Sequence, residues 1–179
     1  MLTGPTVRLR AVEEGDLATL ASWRSDPEHY DHFYEFVPIS AAAQRAWFDA
    51  QRGRRDEINF AAQAHDGTLV GTVSLVNIDA RSRRGELGRV LVGHADYRGR
   101  GCGAEMIGLA LEYGFDHLNL NKIVCEVLAH NERAAAAYVR AGFRVEGTLR
   151  DHVYKRGGFV DVDTMALFQA DWRRAAAGG

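Results

Sequence analysis

The run Arg98-Gly99-Arg100-Gly101-Cys102-Gly103 is the stretch of this chain best suited to hold an anion. It follows the apolar segment Val90-Leu91-Val92 and precedes a long helical pattern starting at Ala104, so the spacing predicts a strand, a glycine-rich loop and a helix N-terminus. Alternating glycines let the backbone take positive φ and come close to a ligand, and the first N–H groups of a helix are unpaired at the positive end of its dipole. Such a loop is built to hold phosphate. Gly99 to Ala104 also meets the relaxed dinucleotide pattern GxGxxA, with Glu126 about 20 residues on, where a ribose-binding acid is expected. In that design, however, the first glycine leaves the strand directly, whereas His94 to Arg98 intervene here. Glu126 also lies inside a strand pattern that continues through Val127 and Leu128, and no Gly-Lys-Ser/Thr follows, which excludes a P-loop.

Other reactive residues fall into smaller groups. Cys102 sits at a helix N-terminus, where a thiol pKa tends to fall, but no His stands near it in sequence to make a catalytic pair. Cys102 and Cys125 form no metal-ligand or CxxC spacing, and the pair His29-x-x-His32 with Asp26, Asp31 and Glu35 matches no standard metal site, so no metal is expected. The segment from Glu28 to Phe36 is acidic and aromatic. Its carboxylates and the rings of Tyr30, Phe33, Tyr34 and Phe36 suit a cationic amine. Downstream, Asn131, Ala134, Tyr138, Gly142 and Phe143 recur at helical spacing. Taken alone, Asn131 reads as a helix cap and Tyr138 as a helix-face aromatic, although a phenol with a pKa near 10 can equally serve as a general acid.

Together, Arg98-x-x-Gly101-x-Gly103 and Asn131-x-x-Ala134-x-x-x-Tyr138-x-x-x-Gly142-Phe143 resemble, in the same order, the two signatures of the GNAT N-acetyltransferases. The likeness extends along nearly the whole chain and is nearest to the branch of ribosomal-protein alanine and spermidine acetyltransferases. It implies a mixed α/β fold: a mostly antiparallel sheet with two splayed parallel strands and helices on both faces. It also implies acetyl-coenzyme A as co-substrate, wedged between those strands. The residues it assigns to that co-substrate are Val90, Leu91, Val92, Arg98, Gly99, Arg100, Gly101, Cys102, Gly103, Ala104, Asn131, Arg133, Ala134 and Tyr138, with backbone N–H groups of 89–92 polarising the acetyl carbonyl. Tyr138 corresponds to the tyrosine that protonates the departing thiolate, and Glu86 to a base or water-holding acid. The length from Glu86 to Tyr97 implies a bulge in the intervening strand.

On this resemblance the chain transfers acetyl directly to a primary amine within a ternary complex, the alternative being a non-catalytic acyl-coenzyme A sensing module. The acceptor wall would be Tyr30, Asp31, Phe33, Tyr34 and Glu35, faced by the turn from Asp151 to Gly158. Polyamine, amino-sugar and protein N-terminal amine acceptors stay open. A homodimer follows by analogy with the family.

The remaining elements must position these groups. Thr6 to Arg10 alternates as a strand, Leu17, Leu20 and Trp23 recur as a helix closed by Asp26-Pro27, and Ser40 caps a helix through about Gln51. Residues 58–64 and 69–75 form a hairpin about Asp66-Gly67, Glu86 to Val92 is the strand before the loop, and Ile107, Leu111, Phe115 and Leu118 share the packing face of the next helix. Lys122 to Leu128 is a parallel strand, and a final hairpin turns at Arg156-Gly157-Gly158. One domain over 1–174 with a disordered tail, 175–179, accounts for the 179 residues. A net charge of −2 argues against nucleic-acid or anionic-membrane binding, and the absence of a leader-like or spanning apolar run points to the cytoplasm.

Overall fold

The computed structural model describes residues 1–35 and 37–177, with residues 30–32 and 176 described by their backbone alone. The strands are β1 (Leu2–Thr3), β2 (Val7–Ala11), β3 (Ile58–Ala64), β4 (Leu69–Asp79), β5 (Arg84–Val92), β6 (Lys122–Leu128), β7 (Arg144–Lys155) and β8 (Gly158–Phe168). The helices are α1 (Leu17–Arg24), α2 (Ala41–Ala50), α3 (Cys102–Glu112), α4 (Glu132–Arg140) and α5 (Gln169–Ala177). The strands make one sheet in the order β1-β2-β3-β4-β5-β6-β8-β7. Every neighbouring pair is antiparallel except β5 and β6.

Strand alternation decides which side each helix covers. Phe60 pairs with Val73, and Leu75 with Leu87, so these side chains share one face, where they join Ile123, Cys125, Met106, Ile107, Leu111 and Phe115 in the core. That is the face of α3 and α4. Asn59 pairs with Ser74 on the opposite face, and there α1 and α2 close over a cavity of about 300 Å³ that both residues line. Glu105, in the first turn of α3, accepts from the N–H groups of Thr6 (2.8 Å) and Val7 (3.0 Å), which ties the start of this helix to the start of β2.

The caps follow the sequence. Ser40 Oγ accepts from the Ala43 N–H at 3.1 Å, Asn131 Oδ1 from the Ala134 N–H at 3.1 Å, and Gly142 ends α4 at φ +101°. The expected bulge is present. Leu91 pairs with Thr72 and Gly88 with Ser74, which leaves Arg89 and Val90 against Val73, and Arg89 takes φ +53°.

Three elements differ from the expectation. The helix after the loop starts at Cys102, and past Glu112 it widens into a π turn (Tyr113–His117), where the Leu118 N–H reaches the Tyr113 carbonyl at 3.0 Å. The short β1 pairs Leu2 with Leu9. Helix α5 docks Trp172 on Phe115 at 5.8 Å between ring centroids, and residues 175–177, expected in the tail, continue it. Residues 178 and 179 lie outside the described residues.

Candidate active site

Strands β5 and β6 pair only from Arg84 and Lys122 to Glu86 and Val124, while β6 stays paired with β8 as far as Leu128. The bulge at Arg89 turns β5 away beyond that point. The two strands therefore diverge, and the backbone edge of β5 toward β6 has no ladder partner past Glu86 among the described residues. A cleft of about 1220 Å³ fills the splay and continues onto the N-terminus of α3 and along α4.

At one end lies the glycine-rich loop. Gly99 and Gly101 take φ +76° and +84° with open space where a side chain would stand, so it is the backbone conformation that selects glycine there. Among the described residues no side chain caps α3, and its first intrahelical bond runs from the Glu105 N–H to the Gly101 carbonyl. The preceding N–H groups face the cleft without an intrahelical acceptor, the arrangement an anion completes. Gly103, Ala104, Arg133 and Ala134 line the same wall.

Arg98 also lines the cleft, with its guanidinium held at the end of β5. It donates to the carbonyls of Gly93 (3.1 Å) and Val92 (3.4 Å) and meets His29 Nε2 at 2.7 Å. Cys102 is buried, and burial pushes its thiol pKa up, with Glu105 adding to the effect; the lowered pKa that a helix N-terminus suggests is thus overridden.

Alternation also sorts the reacting groups onto two sides of the splay. Glu86 stands opposite Val124, so it shares a face with Val124 and Glu126, away from the core side of Cys125. Glu86 accepts from Asn77 Nδ2 at 2.8 Å, and Glu126 accepts from the Tyr34 hydroxyl at 2.7 Å. Burial and the bond to Glu126 both push the Tyr34 pKa up. Tyr138 lies on the core side. Its ring is edge-on to Phe143 at 5.6 Å, and burial first, then the neighbouring Cys125 and Glu86, raise its pKa. All three of Glu86, Glu126 and Tyr138 line the cleft.

Phe33, Tyr34 and Glu35 line the acceptor side. The side chains of Tyr30 and Asp31, expected in the same wall, lie outside the described residues, as does Phe36. The final hairpin reaches this wall through Lys155, whose Nζ donates to the Phe33 carbonyl at 2.6 Å. His29 spends both ring nitrogens on protein partners, Trp23 O and Arg98, which leaves it no lone pair for a metal. Among the described residues no cluster of His, Cys, Asp and Glu could hold a metal ion, and no helix is long and apolar enough to cross a membrane.

Sequence reasoning did not assign three side chains to this wall. Glu126 had a signal, being an acid in a strand whose alternate positions Ile123, Cys125 and Val127 are buried. Arg24 and Arg89 had none. Arg24 lies over the Phe33 ring at 5.6 Å; it reaches water through the cleft, yet the walls around it and the nearby Arg89 lower its pKa. Arg89 pairs with Glu57 and donates to Asn59 Oδ1 at 2.9 Å.

Residues 6–144 match the family model described as an acetyltransferase (GNAT) domain. The spermidine N(1)-acetyltransferase of Escherichia coli K12 is 29% identical over 179 residues, covering 94% of this chain and 89% of that protein. A putative ribosomal N-acetyltransferase, YdaF of Bacillus subtilis, is 30% identical over 112 residues, covering 63% of this chain and 60% of its own. Among solved structures, the spermidine N-acetyltransferase of Vibrio cholerae in complex with CoA and spermine superposes with a TM-score of 0.89 at 26% identity, covering 95% of this chain and 99% of that one.

Proposed function

The chain belongs to the GNAT acetyltransferase family and is an acetyl-coenzyme A-dependent N-acetyltransferase, and we propose that its acceptor is a primary amine of a polyamine, attacked directly in a ternary complex. One observation carries this reading: two carboxylates, Glu86 and Glu126, stand on one side of the strand splay and a buried phenol, Tyr138, on the other.

The chemistry follows from that separation. The pyrophosphate of the co-substrate fits the open glycine backbone and the free N–H groups at the start of α3. From there the pantetheine arm runs into the splay, past Asn131, Arg133 and Ala134. Backbone N–H groups on the unpaired edge of β5, within 89–92, meet the acetyl carbonyl, and donors so placed are worth about 3–4 kcal/mol to a developing oxyanion. The acceptor arrives as an ammonium with a pKa near 10.4, so a proton must leave before attack. Glu86 and Glu126 attract the cation, and Glu86, directly or through water, receives the proton. As the tetrahedral intermediate collapses, the C–S bond breaks and the Tyr138 hydroxyl protonates the thiolate.

A polyamine suits this face because its further ammonium groups can meet Glu126, Glu35 and Glu28, all of which line the cleft. We further propose one domain that runs through the end of α5, a cytoplasmic location and a homodimer. Coenzyme A release, followed with a thiol reagent, tests the acceptor: spermidine and spermine should stimulate it more than amino-sugars or Ala- and Ser-starting peptides. If only a peptide or an amino-sugar stimulates release, the polyamine assignment is wrong. Tight acetyl-coenzyme A binding with no release would leave the polyamine reading without its reaction.

A further inference from the structure

One buried side chain joins the acceptor wall to the phosphate loop and takes no part in the chemistry above. His29, 3% exposed, sits in the 3₁₀ turn Pro27–His32. Its Nδ1 is 2.7 Å from the Trp23 carbonyl oxygen and its Nε2 is 2.7 Å from Nη2 of Arg98. A carbonyl only accepts and a guanidinium only donates, so this network assigns a neutral ring with its proton on Nδ1.

Arg98 carries the connection onward. Its donations to the Val92 and Gly93 carbonyls grip the end of β5, where the chain leaves for Gly99–Gly103. Glu28 lies 3.5 Å from the same guanidinium but is 76% exposed, and an ion pair so open to water adds little. Beside the two backbone carbonyls, His29 therefore supplies the buried side-chain acceptor that fixes the head of Arg98. Gly93 brings the end of α1 to the same place: a Cβ there would stand 2.0 Å from the Trp23 ring.

We propose that His29 is a positioning residue for acetyl transfer: by holding Arg98 it fixes the phosphate loop relative to the acceptor wall. This rests on reading residues 98–104 as the loop that holds acetyl-coenzyme A.

Two near-isosteric variants separate its two bonds. His29→Gln can place a carbonyl oxygen near the Nε2 position, where it still accepts from Arg98, and loses the donor to Trp23. His29→Asn can place an amide nitrogen near Nδ1, which still donates to Trp23, and loses the acceptor for Arg98. The measurements are acetyl-coenzyme A binding by calorimetry, KM and kcat with the best amine, and the melting temperature. His29→Asn should bind acetyl-coenzyme A about tenfold more weakly, the loss expected for one hydrogen bond to a charged group, and should raise its KM more than it lowers kcat. His29→Gln should stay within about threefold of wild type on the same grounds. Equal binding by the two variants, whatever their melting temperatures, overturns the proposal, because a merely structural histidine would lower stability without that split.

Arg98→Met gives a second route should His29→Asn fail to fold. It leaves His29 on Trp23 and should weaken binding at least as much; binding like that of wild type overturns the proposal. If wild-type protein itself does not bind acetyl-coenzyme A, the loop assignment fails and the proposal with it, an outcome told apart because it needs no variant.

Discussion

At the residue scale, the site depends on groups whose environments oppose each other across the strand splay. Burial keeps the Tyr138 phenol protonated beyond the ordinary phenol range, which suits a proton donor and has a pH signature. Tyr138→Phe should lower kcat by about 10²-fold or more, with little change in the KM for acetyl-coenzyme A. Its folded pKa lies above the unfolded value of about 10, so folding is unaffected by this group below pH 10 and loses stability above it as the unfolded phenol ionises. The variant should accordingly unfold less readily than wild type, relative to their neutral-pH stabilities, when melted at pH 10.5–11 (about one unit above that value); Tyr34, whose pKa is also raised, keeps the effect partial. Charges on the acceptor side make a prediction of opposite signs. Glu126→Gln removes an attraction for a cationic acceptor and should raise its KM several-fold, whereas Arg24→Ala removes a repulsion and should lower it, both effects shrinking as salt is added. Steady-state kinetics with spermidine at two ionic strengths checks both; parallel shifts would contradict the cationic-acceptor reading. Tyr138 and Glu86 could be picked out through the resemblance to the family's signatures, but Arg24 could not, because nothing local says that the end of α1 meets the cleft.

At the element scale, the strand, loop and helix that hold phosphate are determined locally. Alternating apolar residues make β5, glycines at positive φ make the loop, and an uncapped helix start makes the anion site. Two glycines near this unit have different reasons to be glycine. Gly93→Ala would drive a methyl into the Trp23 ring, which cannot yield without moving α1, so a loss of roughly 1–3 kcal/mol in denaturant unfolding is expected. Gly103→Ala meets only Val92 Cγ2, at 3.6 Å, and within α3 it should be neutral or slightly stabilising. Equal losses in the two variants would contradict this packing. The bulge in β5 belongs to the same scale and was legible from the length of the Glu86 to Tyr97 stretch set against the family it resembles, whereas the π turn after α3 was not, since an apolar face continues smoothly through Phe115 and Leu118 in the sequence.

At the scale of the whole molecule, β7 closes one edge of the sheet and is exposed along most of its length. Val145, Tyr154 and the paired Phe159 present 58%, 63% and 63% of their surface to solvent. Tyr154 and Phe159 lie with ring centroids 5.4 Å apart at the end of the final hairpin, and an exposed apolar pair of this size suits an association surface, which supports the proposed homodimer. Sedimentation equilibrium should give twice the chain mass, and Phe159→Glu should shift it toward the single mass while far-UV circular dichroism stays unchanged. A wild-type monomer at micromolar concentration would remove the dimer from this account.

The sequence by itself determined most of the elements, the phosphate loop and the family to which they belong, because helix caps, turn glycines and alternation act over a few residues. Asn131 and Gly142 bracket α4, and Arg156-Gly157 turns the last hairpin, each through its local backbone conformation. Only the tertiary structure decided which side of the splay each reactive group occupies. That depends on the register of Glu86 against Val124, on the bulge that ends this pairing, and on α1 and α4 packing from opposite faces, all set by contacts between residues far apart in the chain. Hence Glu126, outside both signatures, entered the site, and Arg98, central to one, turned out to brace the loop through His29.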